Sequence, residues 1–194
     1  MDGRSIRIPA AEGKAMTPYS IALFLHFVFL LLAVGAATLV GHAALRLRDA
    51  ASAEEARRWA SLVGRVTPAF PVATLGLFAS GGYMAYDEWS WSTPWVVAGV
   101  AGLAIIVALG MGVEASRGRE AKAELGAAGL SERARRLLRD PIAWSAKATT
   151  WTLLVAIIFV MTAKPAATGC IVAMVLALIA GPVGARPFWR PSPA

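Results

Sequence analysis

Charge is scarce in this chain: Asp, Glu, Lys and Arg make up 16% of its 194 residues, where a soluble domain carries about 25%. With 57% of residues hydrophobic, that shortage rules out an ordinary water-soluble domain and predicts a membrane protein. Cysteine occurs once, at Cys170, which excludes an intrachain disulfide and any metal motif built on a cysteine pair. Histidine occurs twice, and both copies, His26 and His42, lie in the stretch Tyr19–Leu45, which has no charged residue. Carboxylates are missing from every long apolar run, which argues against a proton-coupled pump or transporter. Neither a glycine-rich phosphate loop nor a Ser-His-Asp set can be assembled, so nucleotide and serine-type hydrolysis have no motif to rest on.

What the chain does have is apolar runs of membrane-crossing length, for which about 20 residues suffice. Five spans are predicted: Tyr19–Leu45, Thr67–Tyr86, Pro94–Val113, Pro141–Ala163 and Ala166–Ala185. Thr93-Pro94 and Asp140-Pro141 mark two of the starts, each a cap residue followed by proline at the first helical position. Lys147, inside the fourth span, is expected to snorkel to the interface. Only Lys164 and Pro165 separate the last two spans, so a short or re-entrant fifth span stays open. The first run is about twice the length of a signal-peptide core and is expected to stay in the mature protein. The predicted fold is an all-α transmembrane bundle over residues 19–185, with a polar outer tail over 1–18 and a cytoplasmic tail over 186–194.

Lys and Arg are unevenly spread. Fifteen fall in 46–66, 114–147 and the C-terminal tail, against four in the N-terminal tail and the 164–165 turn. By the positive-inside rule the N-terminus lies outside and the C-terminus in the cytoplasm of a bacterial plasma membrane. The net charge of +7 is carried by those loops and points to anionic lipid headgroups rather than nucleic acid. On the other side, Trp89, Trp91 and Trp95 fit an aromatic interface belt.

Both basic loops are predicted to hold amphipathic helices on the cytoplasmic face. Ser52 and Glu55 have capping-box spacing, and Ala56, Trp59, Ala60 and Val63 then share a face opposite Arg57, Arg58 and Arg65. Ser131 caps a second helix running through Arg133, Arg135, Arg136 and Arg139. The sharper reading lays both helices on the membrane surface; the plainer one makes them solvated connectors. Their SAEEARR and SERARR starts also hint at a duplication with a period of about 78 residues, which matches His26 to a position near Ala104.

His26 shares a helix face with Ala22, Ala33, Ala37, Gly41 and Ala44, a small-residue stripe of the kind that lets helices approach closely in lipid. The second span offers Ala69, Ala73, Gly76, Ser80 and Tyr83. His26 is therefore predicted to face the bundle interior, with Ser80 or Tyr83 as its polar partner. Three roles stay open for it: an interhelical hydrogen bond, a haem or metal ligand, and a proton relay. His42 lies about 24 Å further along the helix and is expected at the headgroups. Lys164 ends the fourth span as a snorkelling lysine, at a depth from which it could approach the outer-half site of His26. The scattered Met84, Met111, Met161 and Met174 read as packing rather than copper ligands.

Leu25-His26 with Gly35 in the first span, Ser80-Gly81-Gly82 in the second, and Met161-Thr162-Ala163-Lys164-Pro165 ending the fourth form an order of features over residues 19–165. It resembles the small bacterial integral-membrane proteins related to the membrane domain of copper-resistance protein D. The resemblance implies a bundle of four to five helices. It extends distantly to the haem-containing protoporphyrinogen oxidase, where a first-span histidine binds haem; by that likeness His26 is an axial ligand and Lys164 the other. The arginine- and asparagine-rich motifs of that enzyme are absent here, so what carries over is haem binding rather than its activity.

The expectation is a non-catalytic protein or accessory subunit of a membrane assembly, as a homo-oligomer or with other membrane subunits. The alternatives are a haem b- or copper-binding redox protein using His26, and a permease for small solutes or metals.

Overall fold

The computed structural model describes residues 16–128 and 131–189; most of the N-terminal tail and the last residues of the C-terminal tail lie outside it. The order of elements is α1 (Pro18–Arg48), α2 (Ala53–Val66), α3 (Ala69–Asp87), α4 (Pro94–Leu109), a π turn (Gly110–Glu114), α5 (Ala115–Ala128), α6 (Glu132–Leu138), α7 (Pro141–Ala163), α8 (Ala167–Ala185) and a 3-10 turn (Arg186–Trp189). Among the described residues five helical rods are long and apolar enough to cross a membrane. The chain is an all-α, multi-pass bundle. The fifth span is a helix of 19 residues, about 28 Å long, close to the roughly 30 Å of a hydrocarbon core.

Local chemistry sets the helix ends. Thr17 and Ser20 form a reciprocal capping box at the start of α1, and Ser52 and Ser131 cap α2 and α6 by accepting from Glu55 N and Ala134 N. Glu55 reaches back one residue further than the expected box and accepts from Ala51 N at 3.0 Å. Asp140 accepts from Ile142 N at 2.8 Å, with Pro141 at the first helical position of α7. That helix ends at Lys164, whose φ of 47° makes it the one described non-glycine residue in the left-handed region.

Packing divides the bundle into two groups. α7 lies broadly against α8, and α4 packs on both; α1 pairs with α3, while α3 and α4 barely touch. The core of the larger group is Leu153, Ala156 and Ala177 with Ile105, Ile106, Leu109 and Met174 around them. In the α1–α3 pair the buried residues are small: Ala22, Ala36 and Ala43 on one helix, Ala73, Ser80 and Ala85 on the other. Ala36 and Ala43 are buried more deeply than the expected Ala37 and Ala44, which are half-buried, because the contact stripe drifts around a helix 31 residues long.

The two groups are tied at their ends. At the tryptophan end, the Lys164 ammonium sits 4.1 Å from the Trp89 ring centre and 5.2 Å from that of Trp95, a cation–π contact. At the basic end, the Arg48 guanidinium lies 5.7 and 5.6 Å from the centres of Trp144 and Phe188, which stack 5.0 Å apart. Beside it Ala50, Ala56, Leu125 and Ala134 form a second small core with Leu47 and Ala60.

That second core changes the reading of the basic loops. Ala56 is fully buried against residues of α5 and α6, so part of the α2 apolar face is covered by protein rather than offered to lipid. Arg57 and Arg58 point outward on its exposed side. Arg58 pairs with Glu54, and its hydrogen bond and charge hold the Glu54 carboxyl below the usual carboxylate range. The expected duplication sets one short helix, α2, in the first half against two, α5 and α6, in the second. Its register does not match face to face, since Ala104 is exposed and Gly102 takes the inward position.

Candidate functional site

His26 stands nine residues after the Thr17 cap, about 13 Å into α1. Its Nδ1 lies 3.1 Å from Ser80 Oγ on α3. The Ser80 hydroxyl proton is already committed, because Oγ donates to the Gly76 carbonyl at 2.6 Å. With Ser80 thus placed to accept, the tautomer that completes the pair carries its proton on Nδ1 of His26. In that tautomer the lone pair is on Nε2. Gly81 allows the approach: a Cβ there would meet His26 Cε1 at 3.2 Å, tighter than ordinary contact. Tyr83, the other expected partner, is 40% exposed, so Ser80 alone of the two holds the ring.

A ligating histidine usually donates its other ring N–H to a fixed acceptor, and His26 is set up that way. A second donor is harder to find. Among the described residues no group of three or more His, Cys, Asp or Glu could hold a metal ion. Lys164 is a cation seated on Trp89 and Trp95, whereas an axial ligand needs a neutral amine. Met161 and Met174 fill the space in front of Gly99 and Gly102, which is a packing role. The fit to haem or copper is thus partial, one imidazole from this chain.

A Ser80→Ala substitution removes the hydrogen bond of His26 Nδ1 and should cost about 1 kcal/mol, the scale of interhelical hydrogen bonds in lipid. Thermal unfolding in detergent checks this. No measurable loss would mean that the bond does not hold α1 to α3.

The second polar site was not legible in the sequence. The third span was expected to end at Val113, before the charge of Glu114. Instead the helix continues through the Gly110–Glu114 π turn into α5, and Glu114 Oε2 accepts from Lys147 Nζ at 2.6 Å while Thr150 Oγ1 donates to Oε1 at 3.3 Å. Lys147 is six residues into α7, about 9 Å from its start. It therefore pairs within the bundle rather than snorkelling alone, and a carboxylate sits level with the fourth span after all. The π turn widens the helix by one residue and so aims Glu114 at α7. Gly110 and Gly112 ease that backbone, and Ser116 Oγ donates to the Gly112 carbonyl at 2.6 Å. Glycines flanking the boundary of an apolar run, with a lysine inside a later span, were the available signal.

The remaining sites are at the surface. His42 is exposed and meets Trp59 edge-on at 5.8 Å. Arg133 pairs with Glu124 at 3.3 Å and Arg117 with Asp140 at 3.1 Å. Arg135, Arg136 and Arg139 line a recess with Glu132, Pro141 and Trp189.

No family model, curated protein or solved structure matches the chain. Its function therefore rests on its own geometry.

Proposed function

We propose that the chain is a non-catalytic accessory subunit of an assembly in a bacterial plasma membrane, its basic end in the cytoplasm and its N-terminus outside. The observation that supports this is where the polar groups inside the spans go. His26 is taken up by Ser80, Lys147 by Glu114, and Thr152 Oγ1 by the Ala177 carbonyl at 2.7 Å. Each is closed across a helix pair of the same chain, where it fixes packing. The outer faces of α1 and α3 meanwhile carry large apolar side chains, with Phe24 66%, Leu31 71% and Leu75 70% exposed, a broad surface for a neighbouring subunit or a second copy.

Cysteine crosslinking tests the assembly. Phe24→Cys and Leu75→Cys, each in a Cys170→Ser background and oxidised in native membranes, should trap one discrete larger species. Monomer alone at both positions would contradict the proposal.

A second reading has its own observation. The Nε2 lone pair of His26 suits a haem b or copper ligand, as the resemblance to copper-resistance protein D relatives implies. A Soret band abolished by His26→Gln would decide for it.

A further inference from the structure

Arg135 and Arg136 of α6 and Arg139 just past its end gather around one recess. Glu132, Arg135 and Arg136 are spaced i, i+3 and i+4 and so share one side of the helix, and Arg139 follows as its C-cap. Together with Pro141 and Trp189 they line a recess of about 430 Å³. The neighbouring cations are spoken for: Arg133 by Glu124, Arg117 by Asp140 and Glu120. Arg135, Arg136 and Arg139 have no ion-pair partner among the described residues. Arg139 Nε is shielded from water and unpaired as well. Guanidinium groups so clustered repel one another, and a shielded N–H without an acceptor is costly. An anion in the recess would relieve the repulsion.

We propose that this recess seats the phosphodiester headgroup of a single anionic phospholipid. Guanidinium forks match phosphate oxygens in pairs. With three arginines against one carboxylate, the recess favours a headgroup of net negative charge, and Glu132 disfavours a multiply charged free anion. Position points to a lipid. Pro141 is the first residue of α7, a membrane-crossing helix, and the exposed Ile142 and Trp189 beside it offer acyl chains an apolar path. The proposal rests on the membrane reading. It goes beyond diffuse attraction of a basic face, because it predicts one site and names its residues.

The test uses the full chain in detergent, titrated with phosphatidylglycerol, phosphatidylcholine or inorganic phosphate, and native mass spectrometry to count retained molecules. One phosphatidylglycerol should be retained, about tenfold more tightly than phosphatidylcholine. Arg136→Gln, at an exposed position, should weaken retention about tenfold. Arg139→Lys keeps the charge but loses the fork, and should weaken it several-fold. Removing two charges elsewhere, by Arg119→Gln with Lys122→Gln on exposed positions of α5, should leave retention unchanged. Equal retention of both lipids, or equal loss in the α5 variant, would overturn the proposal. So would binding of inorganic phosphate with no lipid retained. Release of the protein from membranes by alkaline carbonate would overturn the membrane reading itself, and is scored separately.

Discussion

Glu114→Ala should be among the most damaging single substitutions in the chain, lowering stability by about 2–3 kcal/mol. Removing one partner of a buried ion pair typically costs about 3–5 kcal/mol, and the lower figure allows for the 20% and 21% exposure that the Lys147 and Glu114 side chains keep. The loss arises from what stays behind: the Lys147 ammonium and the Thr150 hydroxyl without their acceptor. Glu114→Ala with Lys147→Ala should therefore be less damaging than the sum of the two, with a coupling of about 1–2 kcal/mol. Thermal unfolding in detergent of wild type, the two singles and the double gives the coupling directly. Additive losses would mean that the two charges do not act as a pair.

Gly181→Val should cost about 3 kcal/mol. The first side-chain atom added at Gly181 would land on the backbone and hydroxyl of Thr149, and backbone cannot rotate aside as a side chain can. α7 and α8 would have to part, loosening the Thr152–Ala177 hydrogen bond and the Leu153, Ala156 and Ala177 core. Overpacking of this kind costs about 1–3 kcal/mol and more where nothing yields. Gly184→Val is the control, three residues along the same helix with open space at that point. A similar loss in both variants would point to general helix damage rather than to the α7–α8 contact.

The spans were legible because membrane crossing needs only length and apolarity, and the Asp140-Pro141 start placed α7 closely. Caps at Ser52 and Ser131 were legible too, since a serine before a charged, alanine-rich stretch has few other local uses. What escaped was set by contacts between distant segments. Glu114 looked like the start of a loop because a lone charge after an apolar run normally marks one, and its partner is 33 residues away. The apolar side of α2 looked free for lipid because α5 and α6, which cover Ala56, are far off in the chain. At His26 the helical period found the right face and offered two partners; only the three-dimensional register separates Ser80 from Tyr83.

The role of His26 is the hinge between the two functional readings. The most direct measurement is the visible absorption spectrum, with copper analysis, of protein purified from haem- and copper-replete cells, beside the same preparation of His26→Gln. If His26 serves only to join α1 to α3 through Ser80, neither protein shows a Soret band or stoichiometric copper, and the two spectra coincide. A Soret band or bound copper in the wild type that disappears in His26→Gln would contradict it and make His26 a ligand.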